Sequence, residues 1–302
     1  MPSSARRGLL QVSLAGVLWG TGGLAVQLVR EREPLSVLTI STWRMGLAAV
    51  ALLLVLLVLR RSAELLRLLR ERPRTVVAVG LCTGAYQALY FAAVVSAGVT
   101  VATVVALGLA PVLLTVAEGV AARRAPGRTQ VLVLLTALGG LVLVSTAAGL
   151  AVTGPRPTLG VLLAVVSGVT YAVATALGRP LSAVSSPLAL ATATSCAGAL
   201  GLLPLGLLAG GPHLSSDPVV VGLLVYLGTM TLALAYGLLY AGLRTVRGSA
   251  AVVATLLEPV TAAVLAAVVL GERLGLLGVV GGALVLLAVA GSAAPRAEPP
   301  RP

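Results

Sequence analysis

Long apolar segments of about 20 residues, separated by short polar or arginine-containing runs, dominate this 302-residue chain. Twenty residues of α-helix, at about 1.5 Å each, span about 30 Å, which is the thickness of the hydrocarbon core of a bilayer. The pattern therefore predicts an all-α integral membrane protein with ten transmembrane helices. The predicted spans are residues 9–29, 35–59, 75–95, 99–122, 129–147, 158–177, 188–208, 218–241, 248–270 and 274–292.

The two halves of the chain carry matching residues at a nearly constant separation. The matched pairs are Tyr86 and Tyr236, Tyr90 and Tyr240, and Gly98 and Gly248, each 150 residues apart, and Pro111 and Pro259, 148 residues apart. Five spans bring the chain to the other side of the membrane, so the second half enters inverted, an architecture of many alternating-access carriers. We expect one five-helix repeat at 1–150, a second at 151–292, and a disordered cytoplasmic tail at 293–302.

The composition excludes an ordinary soluble protein. Hydrophobic residues make up 58% of the chain and charged residues only 10%, with a mean hydropathy of +1.07; a soluble surface needs more charge to be solvated. The net charge of +12 comes from arginine alone, and sixteen of the 21 arginines fall at the predicted face of the termini. This bias indicates a multi-pass protein of the cytoplasmic (inner) membrane with both termini in the cytoplasm, and it argues against nucleic-acid binding.

Two ionisable side chains are predicted well inside spans. Glu258 lies near the middle of the ninth span, beside Pro259, which deprives the Thr255 carbonyl of its usual hydrogen-bond donor. Arg44 lies about a third of the way into the second span. Charges at that depth face protein or water and not lipid. Glu258 is therefore a candidate for substrate binding and proton coupling, or a structural acid that bonds the freed backbone. Arg44 is a candidate to contact a substrate carboxylate, or a structural anchor.

A second acid, Glu118, lies seven residues after Pro111, so the two share one helix face. Two interpretations stay open for Glu118. It can pair with the nearby Arg123 and Arg124 at the cytoplasmic end of the helix, or it can act as a gate or ligand at the floor of a cavity. Pro111 and Pro259 are predicted to mark the helices that bend around that cavity.

Six of the nine aromatic residues are candidates to line the same cavity: Trp19, Tyr86, Tyr90, Tyr171, Tyr236 and Tyr240. The spacing of four residues in each half places two tyrosine rings on one helix face. Plain packing would also explain these rings. A phenol hydroxyl in hydrocarbon needs a hydrogen-bond partner, however, which favours the cavity.

Several short motifs follow one another in a fixed order along the ten predicted spans. They are Leu18-Trp19-Gly20, Trp43-Arg44 and Tyr90-Phe91 followed by Pro111 in the first half, and Tyr240, Leu257-Glu258-Pro259 and Gly271-Glu272 in the second. In this order and spacing the chain resembles the EamA family of the drug/metabolite transporter (DMT) superfamily. The resemblance implies a basket of ten helices that transports small metabolites. One position departs from the family, which often has an acid about thirteen residues after the proline: the first half has Arg124 there.

These observations lead to a functional hypothesis. We expect a secondary transporter, and no enzyme, that moves a small metabolite across the cytoplasmic membrane by alternating access. An amino-acid-like substrate that is exported is the first choice, because Arg44 and Glu258 can meet a carboxylate and an amine. The expected partners are a small-molecule substrate, the lipid bilayer and, as candidate coupling ion, protons. No cofactor, metal site or nucleic-acid partner is expected, and the oligomeric state is left open.

Two alternatives to this carrier stay open. One is a polytopic membrane enzyme that acts on lipid-linked substrates, which would need clustered acids, histidines or metal ligands at a membrane face. The other is a transporter-like scaffold or lipid translocator that has no soluble substrate.

Overall fold

A computed structural model of the protein describes residues 3–147, 155–211, 215–269 and 275–292. In this part of the chain every regular element is a helix. Nine helices are long and apolar enough to cross a membrane, and a shorter apolar helix follows them, which confirms the predicted ten-span, all-α fold. The spans, numbered here from first to tenth, are Ser3–Arg32, Val37–Val58, Pro73–Ala97, Val99–Ala121, Arg128–Ala147, Pro157–Val184, Pro187–Leu208, Pro218–Leu243, Gly248–Val269 and Leu276–Ser292. Glu272 and the predicted tail lie outside the described residues.

Local sequence explains where several spans begin. Proline occupies the first turn of the third, sixth, seventh and eighth spans, where its missing N–H costs no helical hydrogen bond. The side chains of Ser36, Ser186 and Asp217 cap the second, seventh and eighth spans by accepting a hydrogen bond from a first-turn backbone N–H. Gly98, with φ of 91°, turns the chain sharply between the third and fourth spans.

Two spans are irregular near the middle of the bundle. The eighth contains a π-helical segment, Thr229–Leu234. The ninth consists of two helices, Gly248–Thr255 and Leu257–Val269, which meet at Leu256. The break falls where Pro259 cannot donate a hydrogen bond to the preceding turn. The fourth span, in contrast, is one uninterrupted helix through Pro111, so the two prolines act differently on the backbone.

The two halves pack mainly against each other, and the pattern of contacts is symmetric. The first span contacts the eighth and ninth, and its counterpart, the sixth, contacts the third and fourth. The second contacts the eighth, and its counterpart, the seventh, contacts the third. Three further contacts join a span to its own counterpart in the other half, so the symmetry maps each of them onto itself. They are the contacts of the second span with the seventh, the fourth with the ninth, and the fifth with the tenth. This symmetry is expected of two inverted five-helix repeats that enclose one centre.

Small residues allow some of these helix pairs to approach closely. A Cβ atom added to Gly140 in the fifth span would lie 2.7 Å from the carbonyl oxygen of Gly281 in the tenth. A Cβ atom at Gly242 in the eighth span would lie 2.5 Å from the carbonyl oxygen of Gly8 in the first. Such contacts between backbones are a usual way to associate helices in lipid, where the hydrophobic effect between helices is absent.

The alternating spans define two faces of the bundle. We use "N-terminal face" for the side at which the first span begins, and "opposite face" for the side at which it ends. The short helix Ser62–Glu71, which joins the second and third spans, lies on the N-terminal face and packs on the seventh span. There the Ser186 hydroxyl donates a hydrogen bond to Glu64, which with the neighbouring Arg61 lowers the pKa of that carboxyl. On the opposite face Arg32 pairs with Asp217 at 3.1 Å.

Candidate binding cavity

A cavity of about 1230 Å³ lies between the two halves and opens at the opposite face. Its rim is formed by the ends of spans and by connections on that face, including Gln27, Arg30, Val95, Gly98, Ser145, Pro155 and Gly275. Its deep wall is formed by side chains from the first, second, third, sixth, eighth and ninth spans. No described loop of the N-terminal face lines it, so in this structure the cavity is accessible from one side only.

Two opposite charges face the cavity, one from each half. Arg44 comes from the second span and is 8% exposed. Its Nη2 donates a hydrogen bond of 3.2 Å to the hydroxyl of Thr231, which lies in the π-helical segment of the eighth span. Its Nε is buried and has no hydrogen-bond partner among the described residues. Glu258 lies close enough for the two charges to interact. The site thus offers one ligand a cationic hydrogen-bond donor, Arg44, and an anionic hydrogen-bond acceptor, Glu258.

The break in the ninth span positions Glu258. This residue lies in the first turn of the helix Leu257–Val269, where the helix dipole favours a negative charge. The first span packs closely against the break, because a Cβ atom added to Gly20 would lie 2.5 Å from the carbonyl oxygen of Glu258. The Glu258 carboxyl group forms no hydrogen bond within the described chain to the Thr255 carbonyl, which Pro259 leaves without its usual donor. It is therefore available to a ligand in the cavity.

Aromatic rings surround these charges. Tyr86 stacks on Tyr171 with ring centroids 4.8 Å apart, and Trp19 packs against Tyr236 at 5.3 Å. These four rings come from the third, sixth, first and eighth spans, so both halves contribute. Tyr90 lies one turn from Tyr86 on the side of the opening. Flat rings of this kind give a rigid apolar wall with polar edges.

The hydroxyls of two of the tyrosines are held by threonines. Tyr90 bonds the Thr103 hydroxyl at 2.8 Å, and Tyr171 bonds the Thr255 hydroxyl at 3.0 Å, beside the helix break. These bonds satisfy groups that would otherwise be buried without a partner.

The structure brings most of the residues predicted from the sequence together, but not all of them. The predicted residues that line the cavity are Trp19, Arg44, Tyr86, Tyr90, Tyr171, Tyr236, Glu258 and Pro259. Tyr240, Glu118 and Pro111 do not line it. Pro111 is buried inside the fourth span.

Tyr240 lies in the packed layer that closes the cavity toward the N-terminal face. Its hydroxyl donates a hydrogen bond of 3.2 Å to the Thr194 hydroxyl of the seventh span. The space beside it, also lined by Thr83, Thr175 and Leu243, measures only about 10 Å³. That volume holds at most one water molecule, so this layer separates the cavity from the N-terminal face.

Glu118 joins the two halves on the N-terminal side of this layer. One carboxylate oxygen accepts a hydrogen bond of 3.0 Å from the backbone N–H of Ser249, and the other accepts one of 2.5 Å from the Ser249 hydroxyl. Ser249 lies in the first turn of the helix Gly248–Thr255, so the acid caps that helix from the other half. Among the residues that the structure describes, Glu118 makes no ion pair with Arg123 or Arg124.

Several polar residues of the site were not singled out by the sequence. Gln87 lines the cavity beside Tyr86, Thr231 bonds Arg44, and Ser249 bonds Glu118. An amide inside an apolar span was a visible signal for Gln87, because a polar group at that depth needs a reason. Thr231 and Ser249 gave no such signal, since threonine and serine readily bond their own helix.

The chain matches the EamA-like transporter family twice, over residues 6–146 and 158–294. It is 29% identical over 291 residues to a protein of Bacillus subtilis (strain 168) named "Uncharacterized transporter YwfM", a match that covers 96% of this chain and 95% of that one. It is also similar to a solved structure described as "Crystal structure of protein", with a TM-score of 0.77, 19% identity, and coverage of 94% of this chain and 95% of the other. At that identity the likeness concerns the fold.

Proposed function

The chain belongs to the EamA-like transporter family and is a multi-pass membrane transporter, consistent with the drug/metabolite transporter superfamily, and we propose that it carries an amino-acid-like metabolite by alternating access. The observation that supports this most strongly is the pair formed by Arg44 and Glu258. The two opposite charges come from different halves and face one cavity that is open on one side.

The charge pair fits a zwitterion. The unbonded Nε–H of Arg44 offers a hydrogen bond to a carboxylate, with the planar geometry that carboxylates match well. Glu258 offers an acceptor to an ammonium group. The rings of Tyr86, Tyr171 and Tyr236 provide an apolar surface for the rest of the ligand. A small α-amino acid carries all three complementary features.

The two closing layers support an alternating mechanism. In this structure the packed layer at Tyr240 and the bonds between Glu118 and Ser249 close the N-terminal side, while the opposite side is open. In the proposed cycle the helices of one half rock against those of the other, the Glu118 bonds break, and the rim closes. The break at Leu256 lets the two parts of the ninth span move separately.

The distribution of arginines indicates which face of the protein lies in the cytoplasm, and therefore to which side the cavity opens. The N-terminal face has fourteen arginines in the described chain and the opposite face has three, Arg30, Arg32 and Arg156. By the positive-inside rule the N-terminal face lies in the cytoplasm, with both termini there. The cavity of this structure then opens to the exterior of the cytoplasmic membrane. For an exporter this is the state that has released its substrate.

Protons are the coupling ion that the site best supports. An ammonium group and a proton would compete for the carboxylate of Glu258, which faces the open cavity. Uptake of a proton from outside would then displace the substrate, and return of the proton to the cytoplasm would prepare the site for the next substrate. Export in exchange for protons follows from this competition.

Ligand binding by the purified protein tests the proposal. A ligand that binds the folded state raises the unfolding temperature, by an amount that grows with its concentration relative to Kd. We expect free amino acids to stabilise the protein, whereas sugars, nucleosides and phospholipid headgroups do not. Stabilisation by sugars or nucleosides alone, with no effect of any amino acid, would overturn the assignment of substrate class.

A further inference from the structure

Gln87 is a buried amide for which the protein provides no partner. It follows Tyr86 in the third span, its side chain lines the cavity, and it is only 6% exposed. Neither the amide nitrogen nor the amide oxygen has a hydrogen-bond partner among the described residues. A buried polar group without a partner destabilises the folded protein, and Gln87 has two such atoms. Such groups are rare in folded proteins and call for an explanation.

Packing alone does not explain this amide. Other polar groups close to Gln87 do have protein partners: on the cavity wall Tyr90 bonds Thr103, and in the packed layer Thr83 donates to the carbonyl of Val79 on its own helix. Besides Gln87, the buried polar side-chain atoms of the described cavity wall without a partner are Arg44 Nε and Ser145 Oγ. Ser145 lies near the rim. The deep wall therefore has two side chains with unfilled hydrogen-bonding capacity, one cationic and one neutral.

The chemistry of the Gln87 amide determines which ligand group can satisfy both of its polar atoms. A carboxylate would accept from the Gln87 nitrogen and leave its oxygen without a donor, whereas an ammonium group would satisfy only the oxygen. A carboxamide both donates and accepts, and its planar geometry satisfies both atoms of Gln87 at once. An aliphatic group would satisfy neither atom.

We propose that Gln87 is a specificity-determining residue that selects amino acids with a neutral carboxamide side chain, such as asparagine. This inference rests on the proposed function, in which Arg44 and Glu258 hold the carboxylate and ammonium groups common to all amino acids. Gln87 provides the third contact, which distinguishes one side chain from another. A site built to hydrogen-bond a polar group rejects an apolar analogue of the same shape strongly, because the buried groups of the site then stay unpaired.

The test compares asparagine with leucine, which has nearly the same shape, and with aspartate, in binding titrations of the purified full-length protein. We expect the wild type to bind asparagine at least about tenfold more tightly than either comparator, since 1.4 kcal/mol corresponds to tenfold in Kd. Gln87→Met keeps the length of the side chain and removes both polar atoms. In this variant asparagine should lose about tenfold or more in affinity, while leucine changes by less than about threefold.

A matched control comes from a glutamine outside the cavity. Gln130 lies in the first turn of the fifth span, at the N-terminal face, and does not line the cavity, so Gln130→Met should leave all three affinities unchanged. The unfolding temperature of ligand-free Gln87→Met should equal or exceed that of the wild type, because the variant removes unpaired buried groups. A purely structural role for Gln87 predicts the reverse.

The outcomes separate this inference from the proposed function. Equal binding of asparagine and leucine by the wild type, a result that requires no variant, would overturn the role of Gln87 and leave the amino-acid carrier intact. An equal loss for all three ligands in Gln87→Met would do the same. If no amino acid binds the wild type at all, both proposals fail.

Discussion

Tyr90 and Tyr240 occupy equivalent positions in the two halves and have opposite surroundings. Tyr90 lines the open cavity and bonds Thr103, whereas Tyr240 lies in the packed layer and donates to Thr194. Because the second half is inverted, each tyrosine lies one turn from its partner toward a different face. In an alternating cycle the two tyrosines would exchange surroundings when the cavity changes sides.

Labelling of single cysteines tests this exchange. In a chain with Cys82 and Cys196 replaced by alanine, Tyr90→Cys should react from outside with a membrane-impermeant maleimide, and Tyr240→Cys should not react from either side. Conditions that favour the inward-open state should protect the first and expose the second to the cytoplasmic side. Equal reactivity of both positions in all conditions would contradict a two-state cycle.

The bonds between Glu118 and Ser249 should set the balance between the two states. Hydrogen bonds to a charged group contribute about 1.5–3 kcal/mol, so their loss on one side should shift the equilibrium by about 10- to 100-fold. Ser249→Ala removes the hydroxyl bond, and we expect labelling of Tyr240→Cys from the cytoplasmic side to become at least about tenfold faster. Ser249→Thr, which keeps a hydroxyl, is the control. A labelling rate that does not differ between these variants would mean that Glu118 is only a helix cap.

Arg44 should recognise the carboxylate of the substrate and no other part of it. Arg44→Gln is expected to weaken amino-acid binding by about 10- to 100-fold, because a desolvated charged hydrogen bond is lost. The corresponding decarboxylated amine lacks the group that Arg44 would bind, and its affinity should be the same in variant and wild type. Isothermal titration of both ligands measures this. If acid and amine lose affinity equally, Arg44 only anchors the fold through Thr231.

Glu258 should make binding depend on pH. In the wild type, acidification protonates the carboxylate and removes the acceptor for the ammonium group, so amino-acid affinity should fall as the pH falls. Glu258→Gln should bind weakly, with no change over the same pH range, while keeping the elution volume of the folded protein. A variant that keeps the pH dependence of the wild type would exclude Glu258 as the coupling residue.

The close approach of the fifth and tenth spans allows a test of how the halves pack. An alanine at Gly140 would place its Cβ 2.7 Å from the Gly281 backbone, and such overpacking costs about 1–3 kcal/mol. Gly139, next to it, has open space within 4 Å of an added Cβ. Gly140→Ala should therefore lower the unfolding temperature in detergent, and Gly139→Ala should leave it unchanged or raise it. Equal effects of the two substitutions would show that this contact is unimportant.

The spans could be predicted from the sequence because the bilayer imposes a length and an apolar composition on each helix. Pro259 indicated the break at Leu256, because proline has no backbone N–H to donate to the preceding turn. The π-helical segment Thr229–Leu234 was not predicted, because its residues form an ordinary α-helix equally well and its position beside Arg44 depends on the second span.

The hydrogen-bond partners of the site residues could not be predicted, because they are distant in the sequence. Thr231 is 187 residues from Arg44, and Ser249 is 131 residues from Glu118. No local pattern encodes such pairs, which depend on how the halves pack. Tyr240 was predicted to line the cavity for the same reason as Tyr90, and its spacing is identical. Because the second half is inverted, Tyr240 lies toward the N-terminal face. The cavity is closed on that side in this structure, so Tyr240 lies in the packed layer.

Exchange transport in proteoliposomes tests whether the protein carries amino acids by means of Arg44 and Glu258. Vesicles that contain the purified protein and are preloaded with an unlabelled amino-acid mixture should accumulate external radiolabelled amino acids well above protein-free vesicles. The same vesicles with Glu258→Gln or Arg44→Gln, which remove the two charges facing the cavity, should accumulate at least about tenfold less. Accumulation at the wild-type rate by both variants, or none above protein-free vesicles in the wild type, would contradict amino-acid transport through this charge pair.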